Sequence, residues 1–378
     1  MEGLKNRLWN AVKSCVKSRY AIRNHQVKVC ETPKIVSKQG TPMRTKLLIV
    51  ITLLLATSIV ARSENMKAIV VHEYGGPEVL KFEDVPIPEP KEDEMLIKVF
   101  AAGVNSFDGV LRSGKYAKVF KTQLPWNPGY DVAGTVEKVG SKVTKFKVGD
   151  SVYAFISIRT GGGYAEYAIA KQNQAALKPA TISFVEAACV PSVALTAWQA
   201  IVDKANLQAG QTVLIQGASG GVGLFAIPIA KIRGAKVFAT ASTANQDFLK
   251  QLGADVAIDY KTQKFEEIAK DVDVVVDGVG GETLARSYPI VKKGGILVSL
   301  VGRLDQAQLD KYGIRGASLE VEPDSDQLAQ IGRLIDEKKI KVVVSQTFPL
   351  ADAAKAQAQA DTGHARGKIV LKVRDEPK

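Results

Sequence analysis

Residues 213–226 read Val-Leu-Ile-Gln-Gly-Ala-Ser-Gly-Gly-Val-Gly-Leu-Phe-Ala, an apolar run that passes through Gly217, Gly220 and Gly223 into a second apolar run. The first run has the length of a buried strand and the second begins a helical pattern. Glycines at such a turn let the chain bend sharply and let backbone N–H groups approach a pyrophosphate, which the amino end of a helix attracts. Gly217, Ala218, Gly220, Gly221, Val222 and Gly223 are therefore the expected cofactor turn. A plain packing turn is the competing reading.

Working outward, 211–217, 236–241, 255–259, 272–277 and 294–302 are further buried-type strands. Helical patterns at 223–234, 245–253, 264–270 and 281–291 separate them. Repeating strand–helix units of this size imply a parallel, doubly wound sheet, which makes the turn a dinucleotide site rather than an isolated glycine triplet. Upstream, 66–76, 95–104 and 130–140 alternate apolar and polar residues and end in glycine-containing turns, as strands do. Beyond 318, helices at 325–337 and 351–360 alternate with strands at 341–346 and 368–373. The expected divisions are a mostly β domain over 66–187, a dinucleotide-binding domain over 188–317, and a return segment over 318–378.

The chain has 378 residues, 46% hydrophobic and 24% charged, which excludes general disorder, collagen and coiled coil. Its net charge of +12 suggests a polyanion binder until the charge is located. Residues 1–46 carry eleven Lys or Arg against Glu2 and Glu31, so +9 sits there and only +3 in the rest. Nucleic acid is thus not an expected partner of the main body. Residues 47–61 are fifteen apolar or small residues without charge, short for a membrane span. With the basic residues before it, the 43–63 segment reads as a signal peptide or a transmembrane anchor, bringing translocon or membrane contact. Residues 1–65 are accordingly an N-terminal targeting or apolar extension. The protein is exported or membrane-associated if 43–63 acts so, and cytoplasmic otherwise.

The second strand of the parallel sheet ends in Ala239-Thr-Ala-Ser-Thr243, without the acid that usually binds the ribose hydroxyls of NAD. Lack of a carboxylate removes repulsion against a 2′-phosphate, and Ser242, Thr243, Asn245, Tyr260 and Lys261 are candidate donors to it. No Arg stands beside that strand end in the sequence. NADP(H) is the expected cofactor.

The segments YGGPEVL, AAGVNSFDGVLRSGKY, LPWNPGYDVAGTVEKVG, KVGDSVYAF, GGGYAEYA, ALTAWQA, GASGGVG and GHARGKIVLKV follow one another from Met66 to the end. In these the chain resembles the medium-chain dehydrogenase/reductase superfamily, in its quinone oxidoreductase (zeta-crystallin-like) branch. The resemblance implies an α/β fold in which a GroES-like β domain carries an inserted Rossmann domain, with the active cleft between them and a homodimer as the common assembly. The family's zinc-using relatives hold metal with Cys, His-Glu and Cys, and the matching positions here are Asn105, Tyr130-Asp131 and roughly Ser192. With His72, His364 and Cys189 the only soft donors of the body, no tetrahedral zinc site is expected.

Without a Lewis acid the hydride acceptor must be electron-poor or stabilised by hydrogen bonds, which suits quinones and α,β-unsaturated carbonyls. The resemblance gives Asn105 as the residue orienting the acceptor or the nicotinamide ribose, or simply holding its loop. It gives Tyr116 as a proton donor to an enolate, or as packing of the cleft wall. Thr196, Val279 and Gly280 resemble positions that line the nicotinamide, with a plain turn the competing reading at Gly280, and Lys368 is expected near the cofactor or in solvent. Asp108 and Arg112 are expected to form a structural ion pair. Val110 replaces a tyrosine frequent in quinone oxidoreductases, leaving a more aliphatic pocket. Cys189 is expected as a small buried side chain. The alternative function is a non-catalytic NADPH-binding relative, structural or nucleic-acid-associated.

Overall fold

A computed structural model describes residues 64–120, 123–363 and 365–376. The basic leader and the proposed signal or anchor at 43–63 lie outside these residues. Among the described residues, no helix is long and apolar enough to cross a membrane.

Strands β1 (Asn65–Val71) and β2 (Leu80–Pro86) pair antiparallel. They precede β3 (Glu94–Val104), whose eleven residues are almost all buried. An apolar run of that length suits a strand covered on both faces. β4 (Asp131–Val139), β5 (Ser151–Phe155) and β7 (Ala175–Leu177) continue outward from β3. On the other edge, β3 is shared by two partners. Residues 94–98 pair with β6 (Tyr167–Lys171), and 101–104 with β15 (Lys368–Lys372). The last strand of the chain therefore fills a gap beside the first long one, and β14 (Val344–Pro349) adds parallel to it.

The parallel sheet contains β8 (Thr212–Gln216), β9 (Lys236–Ala241), β10 (Val256–Asp259), β11 (Val272–Asp277), β12 (Val291–Ser299) and β13 (Arg315–Ser318). Their spatial order is β10-β9-β8-β11-β12-β13, all parallel. The order reverses between β8 and β11, and in open α/β sheets the crevice beyond the strand ends at that point takes the ligand. Gly217 follows β8 and Gly280 follows β11, so both turns flank this crevice.

Local chemistry explains where sequence patterning and structure part. The helix expected from 223 starts at Gly221, because the glycine turn itself supplies the first helical residues. The helix expected over 264–270 is one turn, Phe265–Ile268, and the strand expected at 341–346 is Val344–Pro349. Residues after Asn105 form a helix, Ser106–Arg112, in place of a loop. Asn105 caps it: the Asn105 N–H donates to Asp108 Oδ2 at 2.9 Å. Such a reciprocal cap stabilises an amino end despite the poor helix former Gly109.

Asp108 and Arg112 do not pair with each other. Arg112 is buried and reaches the helix Ala353–Asp361, where it donates to Gln357 Oε1 and pairs with Asp361 at 2.8 Å. Its Nε also donates to Gly75 O at 3.2 Å. The return segment is thus pinned to the amino-terminal domain by a buried guanidinium. Losing it would leave the fully buried Gln357 oxygen without its donor, while the exposed Asp361 carboxylate turns to water. Arg112→Met is expected to lower unfolding stability by about 2–4 kcal/mol, read as a shift in the urea midpoint with unchanged slope.

Candidate active site

The glycine turn is built for an anion. Gly217 has φ +67°, which a side chain would strain, and a Cβ on Gly223 would lie 2.1 Å from the Ala218 carbonyl oxygen. Beneath it, Ala218 N–H donates to Thr240 O at 2.9 Å and Gly217 N–H to Thr240 Oγ1 at 3.1 Å. The Thr240 hydroxyl donates in turn to Gln216 Oε1 at 2.7 Å, so the turn stands on a buried polar support. Helix Gly221–Ile232 has no side-chain cap, and Leu224 N–H is the donor to Gly220 O at 3.1 Å. The N–H groups of Gly221, Val222 and Gly223 precede that bond and suit a pyrophosphate.

At the end of β9, Asn245 Nδ2 donates to Ser242 Oγ at 3.3 Å. An arginine does stand here, although none is near in the sequence. Arg366 Nε donates to Asn245 Oδ1 at 3.1 Å and Nη2 to Ala244 O at 2.9 Å, with the guanidinium 5.2 Å from the Phe248 ring centre. Linear sequence could not disclose it, because Arg366 arrives from the return segment. Thr243 is already engaged: its hydroxyl donates to Asp259 Oδ2 at 2.6 Å. That bond, with the Lys261 N–H, holds the Asp259 carboxyl below its usual range. Tyr260 is half exposed and Lys261 is exposed beside it.

Across the switch point, Asp277 lies at the end of β11. Its carboxylate accepts from Gly280 N–H at 3.0 Å and from Val279 N–H at 3.2 Å, fixing the turn that leaves Val279 exposed. Burial raises the Asp277 pKa, and these two N–H groups oppose the rise. Gly280 has φ +77°.

A third group of residues surrounds Asn105. Its Nδ2 donates to Asp131 Oδ2 at 2.9 Å, while its Oδ1 accepts from Lys368 Nζ and from Ser192 Oγ, the latter at 3.3 Å. Ser192 also binds Asp131 twice, N–H to Oδ1 at 2.7 Å and Oγ to Oδ2 at 2.6 Å. Lys368 Nζ donates to Val104 O at 3.0 Å and lies 3.5 Å from Asp131. All four side chains are buried. Sequence reasoning named Asn105 and Lys368 separately but missed their contact. It also gave Asp131 and Ser192 no role beyond absent metal ligands. Thr196, one turn after Ser192 on the helix Pro191–Trp198, donates to Ser192 O at 2.7 Å and is partly exposed. Tyr116 packs near Phe107, ring centres 6.4 Å apart, and its side chain is partly exposed. Cys189 is fully buried, its thiol pushed up to about 12 by burial.

The sequence matches the alcohol dehydrogenase GroES-like domain over 91–180 and the zinc-binding dehydrogenase family over 252–371. It is 39% identical over 319 residues to the NADPH-dependent alkenal/one oxidoreductase, chloroplastic, of Arabidopsis thaliana, covering 82% of this chain and 80% of that protein. It is 36% identical to the quinone oxidoreductase of Rattus norvegicus, covering 80% and 96%. The solved quinone oxidoreductase from Coxiella burnetii superposes with a TM-score of 0.78 at 37% identity, covering 82% of this chain and all of that one. The chain belongs to the medium-chain dehydrogenase/reductase superfamily, in its quinone oxidoreductase, zeta-crystallin-like branch.

One family description implies zinc, and the positions matched to metal ligands do meet in the fold. They bring an amide, a carboxylate and a hydroxyl, and the Lys368 ammonium stands among them as counter-charge to Asp131. A cation already built into the chain fits poorly with a divalent ion at the same carboxylate.

Asp108 lies under this cluster, fully buried, with Oδ1 lacking a hydrogen-bond partner. Burial pushes its carboxyl up to about 6, against the opposing bonds from Tyr164 and the Asn105 N–H. Between about pH 4 and 6 the folded chain therefore holds a proton that the unfolded chain releases, and stability falls as pH rises through that window. Asp108→Asn removes this dependence. Urea midpoints from pH 4.5 to 7.5 should show the variant gaining on the parent, by an amount on the order of 2–3 kcal/mol at the upper end.

Proposed function

We propose that the chain is an NADPH-dependent reductase of quinones and α,β-unsaturated carbonyls that works without a metal. The observation that carries this reading is the adjacency of the cofactor turn and the Asn105 cluster. The Lys368 stem lies against Gly221, and its ammonium against Asn105. A dinucleotide whose pyrophosphate sits on the turn is then one side chain away from the amide that holds the acceptor.

The N–H groups of Gly221, Val222 and Gly223 bind the pyrophosphate, while those of Gly217, Ala218 and Gly220 are spent on Thr240 and on the turn itself and shape it. Arg366, Ser242, Asn245 and Lys261 receive the 2′-phosphate, with Tyr260 beside them. Thr243 contributes indirectly by holding Asp259 away. Thr196, Val279 and Gly280 line the nicotinamide. When bound, the dinucleotide supplies a hydride from C4 of its nicotinamide. Asn105 retains one amide N–H beyond its bond to Asp131, and that N–H donates to the acceptor's carbonyl oxygen as negative charge develops there. With an enone, the hydride enters at the β-carbon and a proton at the α-carbon. Tyr116, exposed enough to recover a proton from water, is the donor. The partly exposed Val110 favours an aliphatic enone over an aromatic quinone. The reading extends to a homodimer, for which the unpaired edge of β13 offers a continuation of the sheet. It also takes residues 1–63 as a leader outside the catalytic fold, with any membrane contact confined to 43–63; Glu64 and Asn65, expected in the leader, pair with Ile87 and Pro86 instead.

Absorbance at 340 nm tests this with the full chain, a chelator, and an ortho-quinone, a para-quinone or a 2-alkenal as acceptor. Chelator-resistant oxidation of NADPH is expected. Tight NADPH binding without turnover of any acceptor would sink the reading. Asn105→Ala should lower kcat about 100-fold, the usual scale for one lost oxyanion donor. Arg366→Ala should raise the NADPH KM roughly 10- to 100-fold while leaving that of NADH nearly unchanged, since a charge-assisted phosphate bond contributes on the order of 1.5–3 kcal/mol. An equal effect on both cofactors would remove Arg366 from the phosphate site.

A further inference from the structure

We propose that Lys368 is a positioning residue that couples occupation of the glycine turn to the placement of Asn105. This inference rests on the reductase reading for its catalytic consequence, but its structural part stands on contacts alone. Lys368 is held at both ends. The N–H of its neighbour Gly367 donates to Ser219 O, inside the glycine turn, at 3.1 Å. A Cβ on Gly221 would lie 2.9 Å from Lys368 Cδ and 3.1 Å from Val193 Cγ1, so Gly221 faces both the lysine stem and the helix Pro191–Trp198. At the far end, the ammonium binds the backbone of Val104 and the side chain of Asn105, with Asp131 as its counter-charge.

The side chain is 4% exposed and Asp131 0%, so neither charge can relax into water. A buried ammonium with three fixed partners cannot drift independently of them. Any shift of the turn on anion binding moves Gly367 through its hydrogen bond and the lysine stem through its contact with Gly221. The ammonium transmits that shift to the carbonyl end of the Asn105 amide. Asn105 Nδ2 is fixed by Asp131, so its remaining N–H takes its direction from the position of Lys368. The lysine thus sets the acceptor site without touching the acceptor.

Removing Lys368 alone would leave the Asp131 charge buried and unpaired, and the chain could fail to fold for that reason. The test is therefore the pair Lys368→Met with Asp131→Asn, which deletes both charges and keeps the apolar stem. The ligand probe is 2′-phospho-ADP-ribose, which carries the pyrophosphate and the 2′-phosphate but no nicotinamide, so it cannot reach Asn105 directly. In the unaltered full chain it should slow amide hydrogen exchange at residues 217–224 and also at 105–108. In the double variant, protection should remain at 217–224 and vanish at 105–108. With NADPH and an enone, the double variant should show a kcat about 10- to 100-fold lower and a cofactor KM within about twofold of the parent, the signature of a misplaced group.

Absence of protection at 105–108 in the unaltered chain overturns the proposal. So does its survival in the double variant, or a double variant with the parent's kcat. An unaltered chain that turns over no acceptor refutes the reductase reading alone, because the exchange comparison still decides the coupling.

Discussion

An ammonium taken out of water needs a counter-charge and hydrogen-bond acceptors, and Lys368 finds them on elements distant in the chain. Val104 ends the central strand of the β domain, Asn105 caps the helix that follows, Asp131 begins the next strand, and the stem lies against the first turn of the cofactor helix. The desolvation cost of such a pair is large enough that the surrounding backbone must hold it closely. Its neighbours comply: β15 is hydrogen-bonded to β3 on one side and β14 on the other, and Gly367 is bonded to the turn itself. The geometry of the site follows from satisfying this one charge.

The parts legible in the sequence were those whose physics is local. Strand, glycine turn and helix announce the parallel sheet because each is written in a few consecutive residues. The lack of an acid after β9 can be read directly at Ala241–Thr243. Asn105 was singled out by the resemblance of its surrounding segment, and the structure places it at the centre of a buried network. The helix Ser106–Arg112 escaped notice because Gly109 and a short length hide it, and only the reciprocal cap between Asn105 and Asp108 betrays it.

What stayed hidden depends on pairs far apart. Arg366 reaches Asn245 across 121 positions, and Arg112 reaches Asp361 across 249. Asp131 and Ser192 are 61 positions apart, and their meaning lies in the Asp131 carboxylate, which accepts from Ser192 and from Asn105. In the first two cases the missing partner comes from the segment that follows the parallel sheet. The two charged partners that complete the site, Arg366 and Lys368, are separated by a single residue in a segment that composition alone would pass over.

That arrangement places the linking contact late in chain order. A ribosome delivers the chain from its amino end, and domains generally fold as they emerge. Asn105, Asp131 and the glycine turn are all made well before Gly367 and Lys368, yet β15 must fill the gap beside β3 before Asn105 receives its carbonyl partner. The cofactor turn and the amide are thus joined by one short strand, paired to neither at the time each is made. Whatever order the two sheets form in, the site waits for a contact that spans more than 260 positions.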